Sequence, residues 1–126
     1  MISASSAIAR LRARLAAQVG QPLAVSAGAQ QYVFDEDSAA YAEIDVRRGD
    51  AFAVVVVVGS LPSEQFVVDV WHRFAPEVWL VDPRDETVHV ARRNALDRVF
   101  DGTEILRSAE LPGVAIAVDA LFVAPS

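Results

Sequence analysis

Two carboxylates in the first half of the chain are spaced as metal ligands could be. Glu43 and Asp45 lie two positions apart in the segment 41–46, where polar and apolar side chains alternate. Residues two apart on a β-strand project from the same face. A pair of carboxylates on one face can hold a divalent metal such as Mg²⁺ or Mn²⁺. The solvated outer face of an antiparallel sheet explains the pattern equally well, and we favour that interpretation.

A second polar pair follows in a segment with helical periodicity. Asp69 and His72 are three positions apart, so on a helix they share a face. Together with Glu43 or Asp45 they could form a site of oxygen and imidazole ligands. Both residues flank an apolar stripe, so a polar helix surface is the preferred interpretation. The four residues form a candidate catalytic set only if the protein is a metal-dependent enzyme.

Composition excludes several other chemistries. The 126 residues contain no cysteine and no lysine, which removes disulfides, zinc–thiolate sites and thiol catalysis. The sequence also lacks a Ser-His-Asp order, a glycine-rich phosphate loop and zinc-ligand spacing. A hydrophobic content of 53% is sufficient for one core, so we expect a single domain over residues 1–126. The absence of cysteine favours a cytoplasmic location, and the longest apolar run, 51–58, is too short to cross a membrane.

The charge balance bears on partners. A formal net charge of −6 repels a polyanion over most of the surface, so nucleic-acid binding is possible but disfavoured. The exception would be a local cluster of arginines, for which the candidates are Arg10, Arg12, Arg14, Arg47 and Arg48. An ordinary solvated helix surface is the simpler explanation for the first three.

The elements that must position these residues are organised around the segment 51–81. The run 51–58 is nearly pure valine and predicts a strand buried on both faces. A helix should follow, and its apolar stripe is expected to comprise Phe66, Val67, Val70, Trp71 and Phe74. Pro76 is expected to end the helix, and 78–81 predicts a second strand parallel to the first, reached by a right-handed crossover. We expect Trp71 and Trp79 in the core.

The remaining elements surround this unit. An N-terminal helix is predicted from Ile8, Leu11 and Leu15, with a serine cap near its start and Gly20 at its end. Strands are predicted at 22–27, 30–34 and 41–46 as a meander of hairpins, and at 87–91 and 97–100, with a last helical turn at 119–122. The fold class is therefore α+β: a mixed sheet of hairpins flanked by an N-terminal helix and one central crossover helix.

The second half of the chain resembles the Uma2 family, also called DUF820. The resemblance is specific over about residues 77–122 and rests on four short motifs. They are the strand end Trp-Leu-Val-Asp-Pro at 79–83, the hairpin Thr-Val-x-Val at 87–90, Leu-Arg-Ser at 106–108, and Leu-Pro-Gly-Val at 111–114 followed by Asp-x-Leu-Phe at 119–122.

This resemblance implies a restriction-endonuclease-like fold and a Mg²⁺-dependent nuclease site of two acidic residues and a lysine. Glu43 matches the position of the first acid. The strand that should carry the second acid, 54–58, is all valine, and the chain has no lysine. We therefore expect a catalytically inactive Uma2-like domain without a cofactor, acting as a protein-binding or oligomeric scaffold. It should form a homodimer or a larger assembly, with the valine-rich strand and the hairpins offering edges for pairing.

The alternative is a divergent DNA endonuclease that depends on Mg²⁺ or Mn²⁺. Its relocated active site would consist of Glu43, Asp45, Asp69 and His72.

Overall fold

The structure is a computed structural model that describes residues 3–26, 28–36 and 38–123. Ala27, which belongs to the predicted strand 22–27, and Asp37 lie outside the described residues. The helices are α1 (Ala4–Gln18), α2 (Gln65–Trp71) and α3 (Asp119–Phe122). The strands are β1 (Leu23–Val25), β2 (Gln30–Asp35), β3 (Ser38–Ala42), β4 (Ile44–Arg48), β5 (Ala51–Val58), β6 (Glu77–Asp82), β7 (Thr87–Arg92), β8 (Arg98–Phe100), β9 (Ile105–Leu106) and β10 (Ile116–Ala117).

A six-stranded mixed sheet forms the centre, in the order β1-β4-β5-β6-β7-β8. β5 and β6 run parallel, and α2 connects them, so the predicted strand-helix-strand crossover is confirmed. The other pairs in this sheet are antiparallel. β5 lies between β4 and β6, which is why its interior residues are buried on both faces. The expectation that this valine-rich strand offers an edge for pairing is therefore wrong, because β1 and β8 are the edges.

Each face of the central sheet carries its own apolar cluster. Val54 and Val56 belong to the cluster that packs against α1 and the C-terminal segment. Val55 and Val57 belong to the cluster on the opposite face, beneath α2 and the β2–β3 hairpin. The alternation follows from the period-two geometry of a strand. Trp71 and Trp79 are fully buried in the second and first clusters respectively, as predicted.

Helix α1 forms as its sequence predicts. Ser3 is its N-cap, and the Ser3 hydroxyl accepts a hydrogen bond from the Ser6 backbone N–H at 3.2 Å. The buried side chains are Ala7, Ile8, Leu11 and Leu15, one stripe at helical spacing. At the other end of the chain, α3 buries Leu121 and Phe122 against the same cluster, which confirms the predicted last helical turn.

The prediction of one continuous strand over 41–46 is wrong, because Glu43 interrupts it. The segment is divided between the end of β3 and the start of β4, and we call this interruption the break at Glu43. β3 pairs with β2 in a separate two-stranded sheet, whereas β4 joins the main sheet between β1 and β5. Residues on either side of the break therefore have different neighbours, and the alternation of polar and apolar side chains does not define one face. Tertiary pairing, which local periodicity does not encode, decides where one strand ends and the next begins.

Helix α2 also differs from the prediction. It ends at Trp71, before Pro76, and its buried residues are Val68, Val70 and Trp71. Phe66, expected in the core, is 69% exposed, because the buried side of α2 runs through Val68 and Trp71 and not through Phe66. No helix among the described residues has the length and apolar character needed to span a membrane.

Candidate functional site

Glu43 lines a small cavity at the start of α1 and the end of β5. The cavity measures about 220 Å³ and is lined by Ala4, Ser5, Ile8, Glu43 and Val58. Backbone bonds hold Glu43 in place on two sides: its N–H donates to the carbonyl oxygen of Val56 at 2.8 Å, and its own carbonyl accepts from Nη2 of Arg12 at 2.5 Å. The backbone of Glu43 is thus held in a fixed position in the fold.

The residues around Glu43 do not fit the metal site that the resemblance implies. No second acidic side chain lines the cavity, and the neighbouring residue from β5 is Val58. Mg²⁺ and Mn²⁺ are held in such sites by several oxygen ligands, usually with more than one carboxylate. Throughout the described ranges, no three His, Asp or Glu side chains form a group that could hold a metal ion.

Asp45 lies on the other face of the sheet from the Glu43 cavity. Asp45 pairs with Val55 of β5, and Val55 belongs to the apolar cluster beneath α2. Asp45 is only 3% exposed. Its Oδ1 accepts from Nε of Arg47 at 3.1 Å, and its Oδ2 accepts from the Tyr32 hydroxyl at 2.6 Å. Because both carboxylate oxygens are engaged, the expected Glu43–Asp45 metal pair is not formed. The break at Glu43 is the physical reason, since it releases Glu43 from the strand alternation that would align the two.

Asp69 and His72 do not form a metal-binding group with Glu43 among the described residues. Asp69 is exposed on α2, and its Oδ1 accepts from the Gln65 amide at 2.8 Å. Nε2 of His72 lies 3.0 Å from the carbonyl oxygen of Ala91 on β7. Each residue thus has a local partner, and the relocated set of four carboxylate and imidazole groups is not assembled as one site.

The arginines considered for nucleic-acid binding are largely engaged with the protein itself. Arg10 donates to the carbonyl oxygens of Ala120 and Val123, and so joins α1 to α3. Arg12 donates to the backbone carbonyl oxygen of Glu43, and Arg47 donates to the carboxylate of Asp45. Arg14 and Arg48 are exposed. Three of these five arginines are therefore held by contacts within the protein, and the other two are exposed.

Sequence reasoning missed the network of Tyr32, Asp45 and Arg47. Arg47 donates to both of the others, from Nε to Asp45 and from Nη2 to the Tyr32 hydroxyl at 2.5 Å. Its guanidinium carbon also lies 4.7 Å from the centroid of the Phe52 ring, which is cation–π distance. Arg47 follows Asp45 by two positions in one strand, a signal that they share a face, but the contribution of Tyr32 from another sheet has no sequence signal.

Burial and the contacts of this network shift the pKa values of Tyr32 and Arg47. Burial and then the hydrogen bond to Asp45 raise the pKa of Tyr32, against a smaller lowering by Arg47. Burial by itself lowers the pKa of Arg47, but its bond to Tyr32 and the attraction of Asp45 raise that pKa overall. At neutral pH the network therefore holds a neutral phenol and a charged guanidinium.

A larger cavity of about 460 Å³ lies at the carboxyl ends of the parallel strands β5 and β6. Glu64 and Asp82 are its acidic lining residues, and Ser3 and Arg84 also line it. Asp82 has a structural function, since its Oδ1 accepts from the backbone N–H groups of Arg84 and Asp85 at 2.9 and 3.4 Å and closes a turn. The sequence marked this position only as a strand end.

The fold is similar to that of a known structure. The chain is similar to a protein described as "a putative nuclease belonging to DUF820" from Anabaena variabilis ATCC 29413, with a TM-score of 0.68 and 15% sequence identity. The similarity covers 94% of this chain and 79% of that chain. No protein-family model and no curated protein matches the sequence. The chain therefore has the α+β fold of a DUF820 nuclease-like protein, as predicted.

Proposed function

We propose that this chain is a Uma2-like domain that lacks a working nuclease centre and acts by binding protein, as a homodimer or in a larger assembly. The observation that carries the proposal is the isolation of Glu43. Glu43 occupies the position that the resemblance assigns to the first metal-binding acid. It lines a cavity whose other lining residues are Ala4, Ser5, Ile8 and Val58.

The valines of β5 support this proposal energetically. Val54, Val55 and Val56 are fully buried, and burial of each apolar side chain stabilises the fold by about 25 cal/mol per Å² removed from water. A carboxylate in place of one of these valines would lie in the interior, where desolvation would oppose its ionisation. A fold that no longer holds a metal is thus more stable with valine there.

Exposed apolar side chains support a role in protein binding. Leu96 is 89% exposed and precedes the edge strand β8, where Val99 is 50% exposed. An edge strand with apolar side chains is a surface on which another chain can pair. The net charge of −6 and the internal bonds of Arg10 and Arg12 make nucleic acid a less suitable partner. A cytoplasmic location, compatible with the cysteine-free composition, is part of the proposal.

Calorimetric titration with Mn²⁺, followed by incubation with supercoiled plasmid and with single-stranded DNA, tests the catalytic part. We expect neither saturable Mn²⁺ binding nor cleavage by the wild-type protein or by Glu43→Ala. Metal binding and cleavage that Glu43→Ala abolishes would contradict the proposal. They would establish instead the alternative, a divergent DNA endonuclease with Glu43, Asp45, Asp69 and His72 as candidates.

Light scattering at micromolar concentration tests the binding part. We expect the mass of a dimer or larger assembly, and we expect Val99→Lys on β8 to shift it toward the monomer because a charge on an edge strand opposes pairing. Val123→Lys, a charge at an exposed valine outside the strands, is the matched control. A monomer mass for the wild-type protein would count against self-association.

A further inference from the structure

A cleft of about 390 Å³ lies where β1, β2 and β4 meet, and none of its lining residues lines the Glu43 cavity. Its polar lining consists of Ser26, Gln30, Tyr32, Asp45 and Arg47. The volume falls within the range of small-molecule sites, and the lining is rich in hydrogen-bonding groups. The cleft is therefore large and polar enough to hold a small ligand.

The Arg47 guanidinium is held rigidly at this cleft. Nε donates to Asp45 and Nη2 donates to Tyr32, while the rings of Tyr32 and Phe52 lie 5.3 and 4.7 Å from the guanidinium carbon. A free arginine loses substantial rotamer entropy when it binds a ligand. Here the fold has already fixed the side chain, so a ligand need not order it.

The contacts leave part of the guanidinium available. The side chain of Arg47 is 36% exposed, and a guanidinium carries more N–H donors than the two bonds to Asp45 and Tyr32 use. No bond from Nη1 to another part of the described chain is found. The Ser26 hydroxyl accepts from the Asp45 backbone N–H at 3.0 Å, which leaves its own O–H to donate.

The negative charge in the cleft is already neutralised. Asp45 has a side-chain exposure of 4%, and its two oxygens accept from Arg47 and Tyr32. Both oxygens of Asp45 are thus occupied by donors of the protein itself. The remaining N–H groups of Arg47 are available to a ligand. Because the Asp45–Arg47 pair carries no net charge, recognition depends on the geometry of the donors more than on a general positive field.

We propose that this cleft binds an oxyanion, the carboxylate or phosphate group of a small molecule, through Arg47. The planar guanidinium would donate two parallel N–H bonds to two oxygens of the anion, the geometry in which arginine binds such groups most strongly. The Ser26 hydroxyl and the Gln30 amide would supply further donors. This site is independent of the proposed loss of the nuclease centre.

The same contacts also attach the β2–β3 hairpin to the main sheet, because Tyr32 lies on β2 whereas Asp45 and Arg47 lie on β4. A purely structural network would leave the protein unresponsive to anions.

Titration of ¹⁵N-labelled protein with inorganic phosphate and, separately, with malonate distinguishes anion binding from a purely structural role. Sodium chloride at matched ionic strength is the control.

We expect saturable shifts of the Arg47 Nε–H signal and of the Ser26 and Gly49 amides with at least one anion. The anion that binds more tightly identifies the ligand class as phosphate or carboxylate. No saturable shift with either anion, or an equal response to chloride, would overturn the proposal.

A pair of charge-conserving variants tests the role of the guanidinium. Arg47→Lys keeps the charge but removes the planar donor pair, so we expect affinity to fall by about tenfold or more. Arg48→Lys makes the same change at the next, exposed position, and we expect it to bind the anion as the wild type does. Equal affinity in Arg47→Lys and wild type would overturn the proposal.

Gln30→Ala provides a second variant in case Arg47→Lys is poorly folded. Gln30 is exposed on the rim of the cleft, so its truncation should leave the fold intact. We expect a several-fold loss of affinity with an unchanged pattern of shifted signals. Signals that shift elsewhere in the protein, and not at Arg47, would contradict the site.

Discussion

Nη2 of Arg12 on α1 donates to the backbone carbonyl oxygen of Glu43 at 2.5 Å. The bond ties the first helix to the break where the chain leaves β3 and enters β4. A charged donor to a carbonyl forms a stronger bond than a neutral one. The break is therefore held by a residue far from it in sequence.

Arg12→Met should lower the free energy of unfolding, because it removes this donor and keeps most of the aliphatic stem. We expect a loss of about 1 kcal/mol, below the range for bonds to charged groups, since Nε of Arg12 is itself buried without a partner among the described residues. Urea denaturation measures the difference. Arg14→Met on the exposed face of the same helix should have almost no effect, and an equal effect of both variants would show that the contact is not responsible.

Ser108 joins the C-terminal segment to the sheet through Glu77. Its hydroxyl donates to Oε1 of Glu77 at 2.7 Å, and the same oxygen accepts from Nε1 of Trp79 at 3.0 Å. Ser108→Ala should destabilise the protein by about 1–3 kcal/mol, since it leaves buried polar groups without a partner. Thermal unfolding measures the loss. Ser63→Ala at an exposed position should leave stability unchanged.

Glu77→Gln separates hydrogen bonding from charge at the same site. The amide oxygen can still accept from Ser108 and Trp79, so we expect a smaller loss of stability than in Ser108→Ala. A larger loss would indicate that the charge of Glu77 matters more than these two bonds.

Gly59 follows β5 in a conformation that favours glycine. Its φ is +142°, and a Cβ placed there would lie 2.4 Å from Cγ of Glu64. Gly59→Ala should therefore destabilise the fold by about 1–3 kcal/mol from backbone strain, with a further loss as Glu64 moves. Gly113→Ala, where a Cβ meets no atom within 4 Å, is the control for urea denaturation.

Combining Gly59→Ala with Glu64→Ala tests the origin of this effect. The second change removes the steric contact but not the backbone strain, so stability should recover only in part. Full recovery would show that the side-chain contact alone is responsible.

The raised pKa of Tyr32 predicts a loss of stability in alkali. Burial and the bond to Asp45 favour the neutral phenol in the folded state, whereas the unfolded chain ionises at about 10. The contribution is fully present below the unfolded pKa and is lost as pH rises through the folded pKa. Ultraviolet titration of Tyr41→Phe, which leaves Tyr32 as the remaining tyrosine, measures the folded value directly.

Asp45→Asn tests whether the bond to Asp45 contributes to the raised pKa of Tyr32. Removal of the carboxylate should bring the pKa of Tyr32 part of the way back to its ordinary value, because burial remains. An unchanged pKa in this variant would exclude Asp45 as a cause of the shift.

The sequence alone determined the central architecture of this protein. The valine run predicted β5, and the change to helical spacing after Gly59 predicted the crossover to a parallel β6. These elements were predictable because burial on one or both faces imposes a period that is visible in consecutive residues. The stripe of α1 and the final turn at 119–122 were predictable for the same reason.

Tertiary structure decided the arrangement of the candidate site. Glu43 and Asp45 look like one polar face in the sequence, but the break between β3 and β4 separates them. Asp45 then meets Tyr32 from another sheet, and Glu43 meets α1. Local spacing fixes which residues share a face only while a strand continues, and whether it continues depends on partners that are distant in the chain.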